Sequence, residues 1–213
     1  MKKPFTLVEV LIAMSVLSVF LLGLMQFYSS TETVLSSGVE RTEMFERARI
    51  AMDMMANDLT CIYYSQTDDD LTPFQPDGAT SDWFSVSTVR PEKLNTSAKT
   101  NIVGAKYTWN KSDQTLVYSF DNTGDTFDIK KASFGNETDL VEGVTDFSVK
   151  PYYGEGKKLL PSLVVIRMEL VDTRTLRRMK ANPAGKEAIL KNANRREFRR
   201  MVVIDRGQPK PKL

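Results

Sequence analysis

The hydrophobic pattern begins with one long apolar run. Residues 5–28 are almost wholly apolar, and a single charged residue, Glu9, interrupts them. A helix over this span is roughly 36 Å long at about 1.5 Å per residue, which exceeds the roughly 30 Å of a bilayer's hydrocarbon core. Lys2 and Lys3 precede the run, and basic residues favour the cytoplasmic side of a membrane. The pattern therefore predicts a transmembrane helix, with the rest of the chain on the opposite side.

A second helical pattern follows and continues to residue 63. Apolar side chains recur there at intervals of three and four residues, which places them on one helix face: Phe45, Ala48, Met52, Met55, Leu59 and Ile62. Charged side chains fall off this seam, among them Glu43, Arg47, Asp53 and Asp58. We therefore predict one helix over residues 5–63, with its second half packed on a domain. Its methionines are typical of core packing, and the alternative is a groove that binds varied partners.

Beyond residue 63, short β-type runs alternate with turn residues. Residues 68–79 form an acidic loop that lacks the ligand spacing of a calcium-binding loop. Strands are predicted at residues 83–89, 102–109, 116–120, 127–129, 144–153, 163–171 and 199–204. Residues 173–197 interrupt the last strand pair with a turn at 181–185 and a short helix at 186–191. The predicted fold class is α+β, a long N-terminal helix, transmembrane in its first half, packed on an antiparallel β-sheet.

Charge is balanced over the whole chain but uneven along it. The net charge is only +2, which does not indicate a nucleic-acid binder. Residues 62–146 carry 14 acidic and 7 basic side chains, a net of −7, whereas residues 174–200 carry 10 basic and 2 acidic ones, a net of +8. This split indicates complementary surfaces within the domain or between subunits. Because no aromatic residue lies within 173–197 for base stacking, a solvated or subunit-facing loop is favoured there over a nucleic-acid or anionic-lipid site.

The residues that usually carry catalysis are scarce. The chain has no histidine, and its one cysteine, Cys61, cannot form a disulfide within the chain. No nucleophile motif or phosphate-binding loop occurs, although a spatial pair of carboxylates is not readable from sequence. We therefore expect a protein that is not an enzyme, with no cofactor and no metal site.

The first residues carry the clearest motif. Phe5-Thr6-Leu7-Val8-Glu9, followed by the apolar run, resembles the start of a mature type IV pilin or type II secretion pseudopilin. The resemblance implies that a prepilin peptidase cuts between Pro4 and Phe5, that the new amino group of Phe5 is N-methylated, and that Glu9 pairs with the amino terminus of a neighbouring subunit. A carboxylate in lipid favours such a cation, and methylation keeps its charge. Pro4 departs from the family, which usually has glycine at that position.

Two looser matches narrow the choice. Residues 46–59 are similar to the second half of the long helix in minor pseudopilin J of type II secretion, and residues 160–170 with 198–204 resemble that family's C-terminal strands. The resemblance implies a structural subunit of the pseudopilus tip complex that primes filament assembly for protein export. It also implies a single-pass protein of the bacterial inner membrane with its globular domain in the periplasm. The implied partners are the other minor pseudopilins, the major pseudopilin, the prepilin peptidase and inner-membrane lipid, with no small-molecule substrate.

Alternatives remain within this class and outside it. One is a minor pilin of a type IV pilus or of a DNA-uptake (competence) system, and another is a membrane-anchored exported enzyme or ligand-binding domain. A secretory signal peptide is a rival interpretation of the N-terminus, but the apolar run is long and no small-x-small cleavage site follows. The expected organisation is a leader at 1–4, a transmembrane half-helix at 5–28, an amphipathic half-helix at 29–63, a β domain at 64–206 and a disordered tail at 207–213.

Overall fold

A computed structural model describes residues 6–64, 71–76, 79–90, 99–121, 126–154 and 160–204. Within these residues, a 54-residue helix, α1 (Leu7–Thr60), precedes eight strands and two shorter helices. The long N-terminal helix and the antiparallel β-sheets confirm the predicted α+β class. The chain divides into two compact units, Met1–Glu43 and Met44–Leu213, so that α1 contributes residues to both.

The start of α1 is fixed by a reciprocal cap. The hydroxyl of Thr6 accepts a hydrogen bond from the Glu9 amide at 3.3 Å, and the Glu9 carboxylate accepts one from the Thr6 amide at 3.2 Å. This is a capping box, which satisfies two amides that a helix start otherwise leaves unpaired. Farther along, the hydroxyls of Ser15 and Ser18 each donate to a carbonyl of the preceding turn at 2.8 Å. The two serine hydroxyls of the apolar run are therefore hydrogen-bonded within the helix, as a hydrocarbon environment requires.

The strands form two antiparallel sheets. Sheet A has the order β1-β2-β3-β4-β5, and its strands are β1 (Phe74–Gln75), β2 (Trp83–Val89), β3 (Ile102–Asn110), β4 (Thr115–Asp121) and β5 (Phe134–Glu142). Sheet B has the order β6-β7-β8, and its strands are β6 (Val144–Tyr152), β7 (Leu163–Val171) and β8 (Arg195–Val203). Within each sheet, consecutive strands are neighbours, as is common in antiparallel sheets.

Most predicted strands are confirmed, with three differences. The strand predicted at 127–129 is wrong, because Ile129–Lys131 forms a 3-10 turn, in which the Asp128 carboxylate accepts a hydrogen bond from the Lys130 amide at 3.1 Å. Strands β1 and β5 were not predicted, since β1 has two residues and β5 is rich in polar side chains. Residues 68–70 of the predicted acidic loop, and the predicted disordered tail at 207–213, lie outside the described residues.

The segment between β7 and β8 is helical. The predicted short helix is confirmed as α3 (Lys186–Lys191), but α2 (Thr173–Ala181) was not predicted. Helix α2 forms because the Asp172 carboxylate accepts a hydrogen bond from the Thr175 amide at 2.6 Å, and because Leu176 and Met179 are buried beneath it. The stretch predicted as a basic loop is therefore a helical hairpin, and β8 begins at Arg195, four residues before the predicted start.

The hydrophobic core lies where the second unit's part of α1 meets both sheets. Met44, Met52 and Met55 are buried in one cluster with residues of sheets A and B, which confirms their prediction as core residues. Phe45 is 42% exposed and contacts the ring of Phe198 edge-on at 5.5 Å between centroids. The predicted surface position of Asp58 is wrong, because this residue is 0% exposed.

Gly143 joins the two sheets and needs a glycine there. Its φ is +83°, and a Cβ atom would lie 2.9 Å from the carbonyl oxygen of Val171. We expect Gly143→Ala to lower the free energy of unfolding by about 1–3 kcal/mol, because side chains are disfavoured at this φ. Denaturant titration would measure the change, with Gly135→Ala as the control, since no heavy atom lies within 4 Å of its added Cβ. Equal effects of the two substitutions would contradict the prediction.

Candidate assembly site

In the first unit, the apolar run forms a helix surface that no other described residue covers. Its large side chains are exposed along the whole of residues 7–28, and its most apolar window has a mean hydropathy of 2.5 with none of it buried. An exposed apolar surface of this size marks contact with lipid or with another protein. The protein thus has an N-terminal helix long and apolar enough to cross a membrane, followed by a β-rich globular part.

Glu9 lies in the first turn of this surface. One carboxylate oxygen, Oε2, accepts hydrogen bonds from the amide and hydroxyl of Thr6 at 3.2 and 3.3 Å. Within the described residues, the other oxygen, Oε1, has no hydrogen-bond donor. The cap therefore holds the carboxylate at the helix start through Oε2. The predicted cleavage and methylation residues, Pro4 and Phe5, lie outside the described residues, so those two predictions stay predictions.

A buried polar cluster lies at the other end of α1. Asp58 Oδ2 accepts hydrogen bonds from Arg90 Nη2 at 2.8 Å and from the Tyr107 hydroxyl at 2.7 Å, and Arg90 Nη2 also donates to the Tyr118 hydroxyl at 3.0 Å. Among the described residues, Asp58 Oδ1 and Arg90 Nε have no hydrogen-bond partner. The cluster joins the last turn of α1 to β3 and β4, and so positions that helix end on sheet A.

Burial controls the electrostatics of this cluster. It raises the pKa of Asp58 above its ordinary value, while the Arg90 charge and the Tyr107 hydrogen bond act in the opposite direction. Burial also raises the pKa of the Tyr107 hydroxyl, and the neighbouring Asp58 carboxylate adds to that rise. Tyr107 therefore stays a hydrogen-bond donor at any physiological pH. The sequence pattern missed the cluster, because the partners of Asp58 lie 32 and 49 residues away along the chain.

The raised pKa of Asp58 predicts a pH-dependent stability. A carboxyl whose native pKa exceeds its unfolded value favours folding most when it is protonated in both states, at low pH. As pH rises from below 3.8 through the native pKa, we expect the wild type to lose stability relative to Asp58→Asn. Parallel denaturant titrations of the two proteins across acidic and neutral pH would measure this difference. A wild type that gains stability over this window would show that Arg90 and Tyr107 outweigh burial.

The predicted basic stretch forms an exposed surface on α2, α3 and β8. Some of its cations are paired, as Arg200 is with Asp53 at 2.6 Å and Lys180 with Glu142 at 3.3 Å. Others are exposed without an ion pair among the described residues, including Arg174, Arg177, Arg178, Arg196 and Arg199. The cleft between α2 and α3 holds about 380 Å³, and its one carboxylate, Asp172, already caps α2. No group of three or more potential metal ligands occurs in the described part of the chain.

Comparison with known proteins adds no family to this description. No protein-family model matches the chain, and no curated protein is significantly similar to it.

Proposed function

We propose that the protein is a minor pseudopilin of a type II secretion system. It acts as a structural subunit of the pseudopilus tip complex, which primes filament assembly for protein export. The helix of residues 7–28 anchors it in the bacterial inner membrane, the β-rich part lies in the periplasm, and the function is assembly and not catalysis. Its partners are the other minor pseudopilins, the major pseudopilin and the prepilin peptidase.

A single observation carries this proposal, namely the capped carboxylate at the start of an exposed apolar helix. Glu9 is the one charge in the run 7–28, and a charge placed in lipid is costly unless it is paired. The Thr6 cap holds this charge in place and leaves Oε1 open. A membrane anchor alone would use this carboxylate only for the cap, whereas a subunit that recognises a neighbour's amino terminus also uses its charge. The α+β fold, with a long first helix and antiparallel sheets, is compatible with the same proposal.

Two alternatives compete with this function. A minor pilin of a type IV pilus or DNA-uptake system would share the N-terminal features, and the exposed arginines of α2 and β8 favour it to that extent. DNA binding that weakens steeply with salt would support it. A membrane-anchored enzyme or ligand-binding domain is the alternative from another class, and it predicts no processing at Phe5.

The experiment that tests the proposal is an intact-mass measurement with N-terminal sequencing of the protein from its native membrane. We expect a chain that begins at N-methylated Phe5, because the prepilin peptidase would remove residues 1–4. Co-expression with and without an active prepilin peptidase gives the matched control. A chain that keeps Met1 when the peptidase is active would contradict the proposal and favour the anchored-domain alternative.

A further inference from the structure

Strand β8 leaves one long edge of sheet B open. It is nine residues long and pairs with β7 on one side, and no described strand pairs with it on the other. The amide of Ile204 donates to the carbonyl of Ser162 at 3.0 Å, which fixes the alternation of the antiparallel pair. By that alternation, the backbone groups of every second residue point away from β7: Arg195, Glu197, Arg199, Met201 and Val203. We name strand β8, with this row of outward backbone groups, the basic edge.

The basic edge combines positive charge with exposed apolar side chains. Strand β8 contains four arginines and one glutamate, a net charge of +3. Two arginines have partners, since Arg195 pairs with Glu169 at 3.5 Å and Arg200 with Asp53 at 2.6 Å. Arg196 and Arg199 are exposed and have no ion pair among the described residues. At the end of the strand, Met201 and Val203 remain 65% and 67% exposed.

The same chain carries an edge of the opposite charge. Strand β5 lies at the end of sheet A and pairs within the described chain with β4 alone. Its nine residues include Glu137, Asp139 and Glu142 and no basic residue, a net charge of −3. Glu142 pairs with Lys180, whereas Glu137 and Asp139 are exposed without an ion pair among the described residues. We name this strand the acidic edge.

We propose that the basic edge of one copy pairs with the acidic edge of a second copy. Open strand edges present unpaired amides and carbonyls that another strand can satisfy, and opposite charges select the partner and its orientation. Because the two edges belong to different sheets, the contact is head-to-tail, and a pair of copies keeps one free basic edge and one free acidic edge. Such a contact builds open-ended oligomers, or rings where the rotation between successive copies closes. This proposal does not depend on the function proposed above.

Protection against aggregation is the competing explanation of the arginines. Proteins do place charges on edge strands to prevent pairing, usually together with short strands, prolines or bulges. Strand β8 has a full nine residues, no proline and a regular register with β7, and it leaves two large apolar side chains exposed at its end. The acidic edge shifts register against β4 at two places, so the case against protection rests on the long, regular strand β8 and on the opposite charges of the two edges.

The test is a pair of charge-reversed full-length chains, studied by analytical ultracentrifugation in detergent. One carries Arg196→Glu and Arg199→Glu, so that both of its edges are acidic, and the other carries Glu137→Lys and Asp139→Lys, so that both are basic. We expect the wild type to form oligomers that dissociate as salt is added. Each reversed chain alone should associate at least about tenfold more weakly than the wild type. Mixing the two reversed chains should restore association, because every contact is again complementary.

Two controls separate edge pairing from other association. Arg174→Glu with Arg177→Glu removes equal charge from α2, away from the edge, and should leave association unchanged. Chains with Met201→Cys and with Glu137→Cys, both in a Cys61→Ser background, should cross-link to each other through a short bis-maleimide and not to themselves. The proposal would be overturned if the wild type stayed monomeric at high micromolar concentration. It would also be overturned if the mixture of reversed chains did not associate, or if Met201→Cys cross-linked to itself.

Discussion

Arg90→Ala is expected to lower the free energy of unfolding by about 3–5 kcal/mol, the loss typical when one partner of a buried ion pair is removed. The Arg90 side chain is 21% exposed and that of Asp58 is 0% exposed, so solvent cannot replace the missing cation at the carboxylate. Asp58 Oδ1 already has no hydrogen-bond partner among the described residues, and the substitution removes the 2.8 Å contact from Oδ2 as well. Denaturant titration of the full chain in detergent, followed by tryptophan fluorescence, would measure the loss.

The matched control is an arginine whose ion pairs are exposed. Arg167 lies 3.6 Å from Asp146 and 3.2 Å from Glu197, and its side chain is 46% exposed. Arg167→Ala should therefore cost less than about 1 kcal/mol, as exposed ion pairs usually do. If the two substitutions cost the same, the Asp58–Arg90 pair does not stabilise the fold in the way proposed.

A double substitution distinguishes a lost partner from a lost contact. Asp58→Leu with Arg90→Met removes both charges and replaces them with apolar side chains of comparable length. Because replacing a buried ion pair by apolar residues is often neutral, the double variant should recover most of the stability that Arg90→Ala loses. A double variant less stable than Arg90→Ala would show that packing, or the buried Tyr107 hydroxyl left without its acceptor, outweighs the unpaired carboxylate.

The parts of the fold that depend on local periodicity were predictable from the sequence. The apolar run and the three-four seam predicted a helix at 5–63, and the structure has α1 at Leu7–Thr60. The β-branched runs of β2 and β7 gave their bounds directly. Strand β5 was not predictable in this way, because an edge strand next to β4 tolerates polar residues such as Glu137 and Asp139. Helix α2 was missed because Leu176 and Met179 are its only large apolar side chains.

The sequence identified one of the two polar sites and missed the other, and the reason is how far apart the members of each site lie along the chain. Glu9 was identifiable because it is the one charge in an apolar run, and its cap spans only three residues, from Thr6 to Glu9. Asp58 looked like a surface residue because its neighbours along the helix include Asp53 and Asn57, which are exposed. Its burial results from Arg90 and Tyr107, which the fold of sheet A brings to it. A local pattern therefore identifies a site made within one turn and misses a site made by tertiary contact.

Glu9→Gln should leave membrane insertion intact and lower the recovery of the protein with its partner subunits by about tenfold or more, the factor that a loss of 1.4 kcal/mol produces. Glutamine at this capping-box position can still accept the Thr6 hydrogen bonds, so the helix start is preserved while the negative charge is lost. Recovery is measured by pull-down from native membranes, with carbonate extraction as the measure of insertion. The expected loss follows because a neighbour's amino terminus, positively charged with or without methylation, would no longer meet an opposite charge in lipid.

Glu9→Ala removes the charge and the cap together, and the comparison of the two variants separates these roles. If charge governs assembly, Glu9→Gln and Glu9→Ala should lower recovery to the same extent. If the cap governs it, Glu9→Gln should behave like the wild type, and Thr6→Ala should reproduce the defect of Glu9→Ala. Normal recovery of Glu9→Ala would contradict any role of Glu9 in assembly, and the apolar helix would then need no explanation beyond membrane anchoring. A defect shared by Glu9→Gln and Glu9→Ala but absent in Thr6→Ala would point to the carboxylate charge itself as the recognised group.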